Sequence, residues 1–160
     1  MNASNNVAVI DEMLHKAKNI ALVGIVEKHW KPSYHIGRYL VYHGYRVFPV
    51  NAELRSVIGC HASPTIEDAQ EAAMAQTGHG IDLVDVFAVD THIEDIVDDV
   101  IRLEIPYLWL QSGIYDDDAV GRARGAGVRC VQDDCIYREH AARPDLRQRH
   151  KQLHSGTPLQ

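Results

Sequence analysis

Residues 19–25 decide the fold, and they read Asn19-Ile20-Ala21-Leu22-Val23-Gly24-Ile25. A short apolar run of this kind, closed near a glycine, is typical of a strand that is buried on both faces of a parallel sheet. Before it, apolar residues recur at helical spacing from Val7 to Ala17. After it, a second helical pattern runs from Ser33, a candidate N-cap, to Gly44, where a C-terminal cap belongs. This order of helix, strand and helix predicts the start of an α/β domain.

The rest of the chain repeats the alternation. Further strands are predicted at residues 45–50, 81–87, 106–110 and 128–131. Helices are predicted to begin near Thr65, at Asp116, and at Asp133 or Asp134. A further helix is predicted from a stripe of apolar residues between positions 93 and 101. Residues 51–63 are predicted to be irregular.

Strands that alternate with helices favour parallel pairing through right-handed crossovers. We therefore predict a three-layer α/β, Rossmann-like fold with a five-stranded parallel sheet in the order 3-2-1-4-5. The predicted domain spans residues 1–142, and a basic C-terminal tail follows at residues 143–160.

The charge and the cysteines argue against several classes of protein. The net charge is −6; residues 143–160 carry four basic residues and one acidic residue, a charge of +3, so the first 142 residues sum to −9. An acidic body disfavours nucleic acid as a partner. Three cysteines without a Cys-x-x-Cys pair predict no disulfide framework and a reducing, cytoplasmic compartment. No run of about 18 apolar residues occurs and residues 1–6 are polar, so we expect neither a membrane span nor a secretory signal.

The turn after the first predicted strand concentrates positive charge. Ligands of doubly wound sheets bind beyond the carboxyl ends of the strands. At that place Gly24 lets a ligand approach the backbone, and Lys28, His29 and Lys31 follow it, with Arg38 in the next helix. Because a helix N-terminus also attracts anions, this turn predicts a phosphate-binding site.

The sequence lacks the motifs of two common classes of phosphate-binding site, the dinucleotide site and the P-loop. The turn contains no Gly-x-Gly-x-x-Gly, and the second predicted strand ends in Val50-Asn51, without the acidic residue that bonds a ribose in dinucleotide sites. The Gly-Lys-Ser/Thr signature of a P-loop is missing as well. These absences disfavour a dinucleotide.

Candidate catalytic groups are scattered along the chain. His35, His43, His92 and His140 form no recognisable metal-binding pattern, and we predict no metal site. Cys135 stands at a predicted helix start, where a thiolate is stabilised, so it is the most reactive-looking cysteine. No set of nucleophile, base and orienting group is evident, and we predict no catalytic residue.

Six stretches of the sequence together resemble a known family. They are residues 20–24, 31–34, 44–51, 81–87, 109–113 and 134–136. In order and spacing they resemble the small bacterial and archaeal CoA-binding proteins, stand-alone relatives of the CoA-binding domain in the succinyl-CoA synthetase alpha subunit. The resemblance covers about residues 8–142. It implies a Rossmann-like, nucleotide-binding fold with coenzyme A or an acyl-CoA as its small-molecule ligand.

The same resemblance implies a set of binding residues. It places the phosphates at the first turn, the adenosine side and the channel at the ends of the second and third strands, and the pantetheine at the end of the fourth. In that order the residues are Gly24, Ile25, Val26, Lys31, Pro32 and Ser33; Val50, Asn51, Phe87, Ala88 and Val89; Gln111 and Gly113. The family usually has Ser or Thr where this chain has Val26, so one hydroxyl is missing. The synthetase's phosphorylated histidine lies in a second domain that this chain lacks, so the resemblance implies binding without ligase activity.

Besides a non-catalytic CoA-binding module, the sequence leaves three other functions open. One is an enzyme that acts on an acyl-CoA with Cys135 or a histidine as catalyst, and another is an NAD(P)-binding oxidoreductase. A regulatory subunit that contacts a partner through the basic tail is a fourth. The oligomeric state, including a homo-oligomer, is left open.

Overall fold

The structure, a computed structural model, describes residues 5–88 and 92–148. Strands and helices alternate along these ranges. They are α1 (Val7–Lys16), β1 (Asn19–Val23), α2 (Pro32–Tyr42), β2 (Arg46–Val50), β3 (Ser56–Val57), β4 (Cys60–His61), α3 (Ile66–Thr77), β5 (Leu83–Val86), α4 (Ile93–Arg102), β6 (Tyr107–Leu110), α5 (Asp117–Gly125), β7 (Arg129–Val131) and α6 (Ile136–Ala141).

Five strands form one parallel sheet in the order β2-β1-β5-β6-β7. In the middle of the sheet, Leu22 of β1 pairs with Pro49 of β2 and with Asp85 of β5. On the outer side of β2, Ser63 forms a single parallel bridge with Val50. The third predicted strand, residues 81–87, contains β5 and pairs with β1 instead of lying outside β2, so in the numbering of the predicted strands the observed order is 2-1-3-4-5. The predicted α/β, Rossmann-like class with a five-stranded parallel sheet is confirmed.

Helices cover both faces of the sheet and give the fold three layers. Helices α3, α4 and α5 pack on one face, and α1, α2 and α6 pack on the other. The stripe predicted for residues 93–101 lies on α4, where Ile96, Val97 and Val100 are buried. The three central strands β1, β5 and β6 are buried along their whole length, as apolar strands of a covered parallel sheet must be.

Two helix starts differ from the prediction. The N-cap of α2 is Lys31 rather than Ser33, because Pro32 occupies the first turn, where its fixed φ and missing N–H cost nothing. Ser33 is therefore inside the helix and buried. The N-cap of α6 is Cys135 rather than Asp133 or Asp134; the carboxylate of Asp134 instead accepts a hydrogen bond from the Cys135 N–H at 2.8 Å.

The segment predicted to be irregular, residues 51–63, contains the antiparallel pair β3 and β4. Its turn consists of Ile58 and Gly59, which both have positive φ angles, 52° and 76°. Hairpin turns of this kind usually carry Asn-Gly or Asp-Gly. The isoleucine conceals the turn in the sequence, and this is why the hairpin was not predicted.

A side chain closes the outer edge of the sheet beyond β7. The Asn5 amide donates to the carbonyl of Gln132 at 2.7 Å and accepts from its N–H at 3.0 Å. The two bonds repeat the pattern that a neighbouring strand would make. The edge residue just past β7 is thus satisfied without a further strand.

The first residues of the predicted tail pack against the helical layer. Arg143 pairs with Asp11 of α1 and with Glu139 of α6. Leu146 is only 2% exposed and belongs to the core on that face. Where the domain ends and the tail begins stays a prediction. Across the described ranges, none of the helices has the length and apolar character that a membrane crossing requires.

Candidate functional site

A cavity of about 400 Å³ lies at the carboxyl edge of the sheet. It opens where β1 and β5 end, which is where the chain changes direction between the two halves of the sheet. Ligands of doubly wound folds bind at this position. Its lining residues are Gly24, Val26, Lys31, Pro32, Ser33, Ile36, Phe87, Ala88, Gln111, Ser112, Ile114 and Cys135.

The floor of the cavity depends on a close approach of two backbones. Gly24 has a φ of +91°, and a Cβ added there would lie 2.7 Å from the backbone nitrogen of Ala88. Only glycine fits this position, because both the left-handed backbone and the contact exclude a side chain. The turn that follows is fixed by Asn51, whose amide donates to the carbonyl of Ile25 at 2.9 Å.

The start of α2 gives one wall of the cavity a positive character. Lys31 and Pro32 line the cavity, and no capping side chain bonds to the first N–H groups of the helix. The first turn of α2 contains no acidic residue either. The helix dipole and the Lys31 ammonium therefore act together without a carboxylate on that turn to neutralise them.

The wall across the cavity is formed by the ends of β6 and β7. Gln111 is 6% exposed and its Oε1 accepts a hydrogen bond from the N–H of Ile136 at 3.2 Å, so it ties β6 to the start of α6. Ser112, Ile114 and Cys135 complete this wall. Together with Phe87 it offers apolar, neutral polar and thiol groups, which suit a neutral part of a ligand.

The structure brings together eight of the predicted binding residues. The residues of the predicted set that line the cavity are Gly24, Val26, Lys31, Pro32, Ser33, Phe87, Ala88 and Gln111. Their role in binding stays a prediction. Val89 lies outside the described residues.

Four other predicted binding residues do not line the cavity. Ile25 and Val50 are packed in the two cores on opposite faces of the sheet. Asn51 supports the first turn from behind, and its Oδ1 accepts from the N–H of Glu53 at 2.7 Å. Gly113 has a φ of +83°, and its N–H donates to Asp133 at 2.7 Å. These residues shape the edge of the sheet around the cavity.

The predicted set omitted Ile36, Ser112, Ile114 and Cys135, which line the cavity. The last three lie just after the fourth and fifth predicted strands, so the rule on strand ends could have identified them. The sequence shows Ile36 only as part of an apolar helix face, and this pattern does not distinguish a core residue from a residue that lines a cavity.

The lining contains no evident catalytic pair. Among the described residues, no histidine, aspartate or glutamate lines the cavity beside the Cys135 thiol. The described residues also contain no group of three or more His, Cys, Asp or Glu side chains placed to hold a metal ion. The cavity is therefore equipped to hold a ligand, and no nucleophile–base pair can be assigned within it.

One buried acid lies near the cavity. Asp85 of β5 is fully buried, and neither of its carboxylate oxygens has a hydrogen-bond partner among the described residues. Burial raises the pKa of this carboxyl well above its ordinary value, because the charged form is poorly solvated. Side chains alternate along a strand, so Asp85 lies on the same face of the sheet as Phe87, which lines the cavity.

Two of the candidate histidines pack elsewhere. His140 is 1% exposed, and its Nδ1 lies 2.6 Å from the Tyr39 hydroxyl, which joins α6 to α2. Burial raises the pKa of Tyr39 to about 12. The ring of His43 packs against both Tyr39 and His140. This cluster holds two helices together and contributes no residue to the cavity.

A larger groove of about 630 Å³ shares no lining residue with the cavity. It is lined by aromatic, cationic and apolar side chains of α2, the β3–β4 turn and α6: His35, Arg38, Tyr39, Val41, Tyr42, Ile58 and Tyr137. It does not lie at the ends of the strands, where the fold binds its ligands. We therefore centre the site on the smaller cavity.

The chain is similar to several known proteins. A family model described as "CoA binding domain" matches residues 18–141. Uncharacterized protein YneT of Bacillus subtilis (strain 168) is 25% identical over 134 residues, which cover 84% of this chain and 93% of that protein. A hypothetical protein from Pyrococcus horikoshii OT3 has a similar structure, with a TM-score of 0.74 and 29% identity over 87% of this chain and 92% of that chain. The structure of cell-free ID.343 from Thermus thermophilus is also similar, with a TM-score of 0.72 and 28% identity over 86% of this chain and 98% of that chain.

Proposed function

The chain belongs to the CoA binding domain family, and from this premise we propose that it binds coenzyme A in the cavity at the carboxyl edge of its sheet. The observation that carries the proposal is the start of α2, where Lys31 and an uncapped helix terminus face a cavity. An anion is the ligand group that such a terminus attracts.

The two walls of the cavity match the two halves of the ligand. Coenzyme A carries a diphosphate and a 3′-phosphate at one end, and these suit Lys31 and the N–H of Ser33 at the start of α2. Its pantetheine arm is uncharged and suits the wall formed by Phe87, Ile114 and Ser112. Val26 offers no hydroxyl to a phosphate, so the backbone and Lys31 supply the anion contacts.

Binding, rather than turnover of an acyl-CoA, is the activity that the lining supports. In the described part of the chain the cavity presents one thiol and no neighbouring base. Acyl transfer needs a nucleophile that a base activates and a group that stabilises the oxyanion. We therefore assign no catalytic residue and propose a module that presents or stores the cofactor.

Two lysines of the same turn allow a matched test. Lys31 lines the cavity, whereas Lys28 is exposed and does not line it. Isothermal titration at physiological salt would compare CoA binding by Lys31→Glu and Lys28→Glu, which change the charge equally. Loss of a charge-assisted contact of about 1.5–3 kcal/mol should weaken binding by Lys31→Glu about ten- to a hundredfold. Lys28→Glu should stay within about threefold, because the Lys28 side chain is exposed, does not line the cavity and is screened by solvent and salt.

The same titration separates the proposal from a nicotinamide site. The protein is titrated in parallel with CoA, with adenosine 3′,5′-bisphosphate and with NADH. We expect CoA to bind most tightly and the bisphosphate to retain part of the affinity. Tighter binding of NADH than of CoA would reject the proposal, and so would equal losses in the two lysine variants.

A further inference from the structure

The groove of about 630 Å³ shares no lining residue with the cavity and has no part in the proposed function. It lies between α2, the β3–β4 turn and α6. Its volume is within the range of about 300–1,000 Å³ that is typical of small-molecule sites. Of the described residues that line it, three are tyrosines and none is acidic. The groove therefore combines the size of a ligand site with aromatic walls.

The aromatic wall of the groove is fixed in part from inside the protein. The Tyr39 hydroxyl lies 2.6 Å from Nδ1 of His140, and the Tyr39 ring meets the Tyr137 ring edge-on, with the two centroids 4.6 Å apart. Tyr42 and Tyr137 are 53% and 47% exposed, and Val41 is 38% exposed. These three belong to the seven exposed large hydrophobic residues of the described ranges. Exposed apolar surface that is gathered in one place commonly marks a binding site, whereas scattered residues do not.

Arg38 supplies the charge of the groove. It is exposed and forms no hydrogen bond or ion pair with another described residue. Five other arginines pair with carboxylates: Arg102, Arg122, Arg129, Arg138 and Arg143. The first 142 residues carry a net charge of −9. Arg38 is thus a cation that is left unneutralised on an acidic domain, and it favours an anionic ligand.

The lining also narrows the kind of occupant. His35, one turn before Tyr39 on α2, adds a ring nitrogen that can donate a hydrogen bond. A second copy of the chain, docked face to face through the groove, would bring the same cationic groups together without a lining carboxylate between them. Like charges oppose such a contact. An anion with a planar apolar body suits both Arg38 and the aromatic wall, and a carboxylate matches the planar fork of a guanidinium.

We propose that the groove is a second binding site, which takes a small aromatic carboxylate. The ring of this ligand packs against Tyr42 and Tyr137, and its carboxylate pairs with Arg38. A ring N–H of His35 donates to the same carboxylate. The site is independent of the proposed coenzyme A site, because the groove and the cavity have no lining residue in common.

Fluorescence titration with anilinonaphthalene sulfonate tests the inference, because this dye has an aromatic body and one anionic group. The dye is titrated into the parent, Arg38→Gln, Tyr42→Ala and the matched control Arg46→Gln. Arg46 is exposed on β2 and does not line the groove. Loss of the ion pair or of the ring contact should weaken dye binding about three- to tenfold in the first two variants. Binding by Arg46→Gln should stay within about twofold of the parent.

Two ligands with the same ring separate recognition of the charge from recognition of the apolar body. Naphthoate carries a carboxylate, and naphthamide carries a neutral amide in its place. In the parent, naphthoate should displace the dye at a concentration at least about threefold lower than naphthamide. In Arg38→Gln the two should displace the dye equally, because only the carboxylate pairs with the guanidinium.

Any of the following results would overturn the inference. One is equal dye binding by the parent, Arg38→Gln and Tyr42→Ala, and another is equal displacement by the two ligands in the parent. A loss in Lys31→Gln as large as the loss in Arg38→Gln would place the dye in the cavity. A dimer that Tyr42→Ala dissociates, measured by light scattering, would assign the groove to a second copy. Each of these measurements is made without coenzyme A, so failure here leaves the proposed function standing.

Discussion

Replacing Gly24 with alanine tests the backbone contact that shapes the floor of the cavity. An added Cβ would lie 2.7 Å from both the Cβ and the backbone nitrogen of Ala88, and the φ of +91° is unfavourable for alanine. The backbone conformation should cost about 1–3 kcal/mol, and the forced contact a further ~1–3 kcal/mol. Gly24→Ala should therefore lower the free energy of unfolding by about 2–6 kcal/mol, a large part of the ~5–15 kcal/mol that is typical of a domain.

Gly59 offers a control with similar backbone strain and no contact. Its φ is +76°, and nothing lies within 4 Å of a Cβ added there. Gly59→Ala should lose only the backbone contribution of about 1–3 kcal/mol. Urea denaturation followed by far-ultraviolet circular dichroism measures both variants. If Gly24→Ala were no more destabilised than Gly59→Ala, the close approach of the ends of β1 and β5 would be refuted.

Two further predictions concern buried side chains. Because burial raises the pKa of Asp85 above 3.8, the folded protein keeps this proton at pH values where the unfolded chain has lost it. Stability therefore falls as pH rises above that value, by up to about 1.4 kcal/mol per unit until the folded-state pKa is reached. Denaturation at pH values from about 4 to about 7 should show the free energy of unfolding of Asp85→Asn rising relative to that of the parent. A difference in free energy that stays constant with pH would contradict this. Leu146→Ala should cost about 2–5 kcal/mol, because the side chain is 2% exposed, whereas Val7→Ala, at a residue 68% exposed, should cost less than about 0.5 kcal/mol in the same assay. A small loss in Leu146→Ala would show that residues 143–148 do not support the core.

The elements that could be predicted are those whose sequence repeats a structural period. The buried face of α4 follows from apolar residues at helical spacing, and β1 follows from an uninterrupted apolar run. The hairpin of β3 and β4 could not be found this way, because strands of two residues are too short to show alternation. The predicted start of α2 lies two residues too late, because Ser33 resembles an N-cap in the sequence, whereas Pro32 already occupies the first turn of the helix.

The residues of the site also fall into a part that could be predicted from the sequence and a part that could not. Parallel strands end at one edge, so topology alone brings Gly24, Ala88 and Gln111 together. Topology does not say which neighbouring side chains face the cavity. Consecutive strand residues point to opposite faces, so a continuous stretch of binding residues includes some, such as Val50, that face the core. The sequence shows Asp85 within an apolar strand, but whether its carboxyl finds a partner depends on packing between layers.

The amide of Asn5 occupies the backbone of Gln132 just past β7, and Ser63 bridges to Val50 at the end of β2, so each side of the sheet is protected at one point. Exposed strand edges are the usual templates for intermolecular pairing, and here one is occupied by a side chain and the other by a short piece of backbone. At Gln132 and at Val50 a second molecule would have to displace these contacts before it could pair with the backbone.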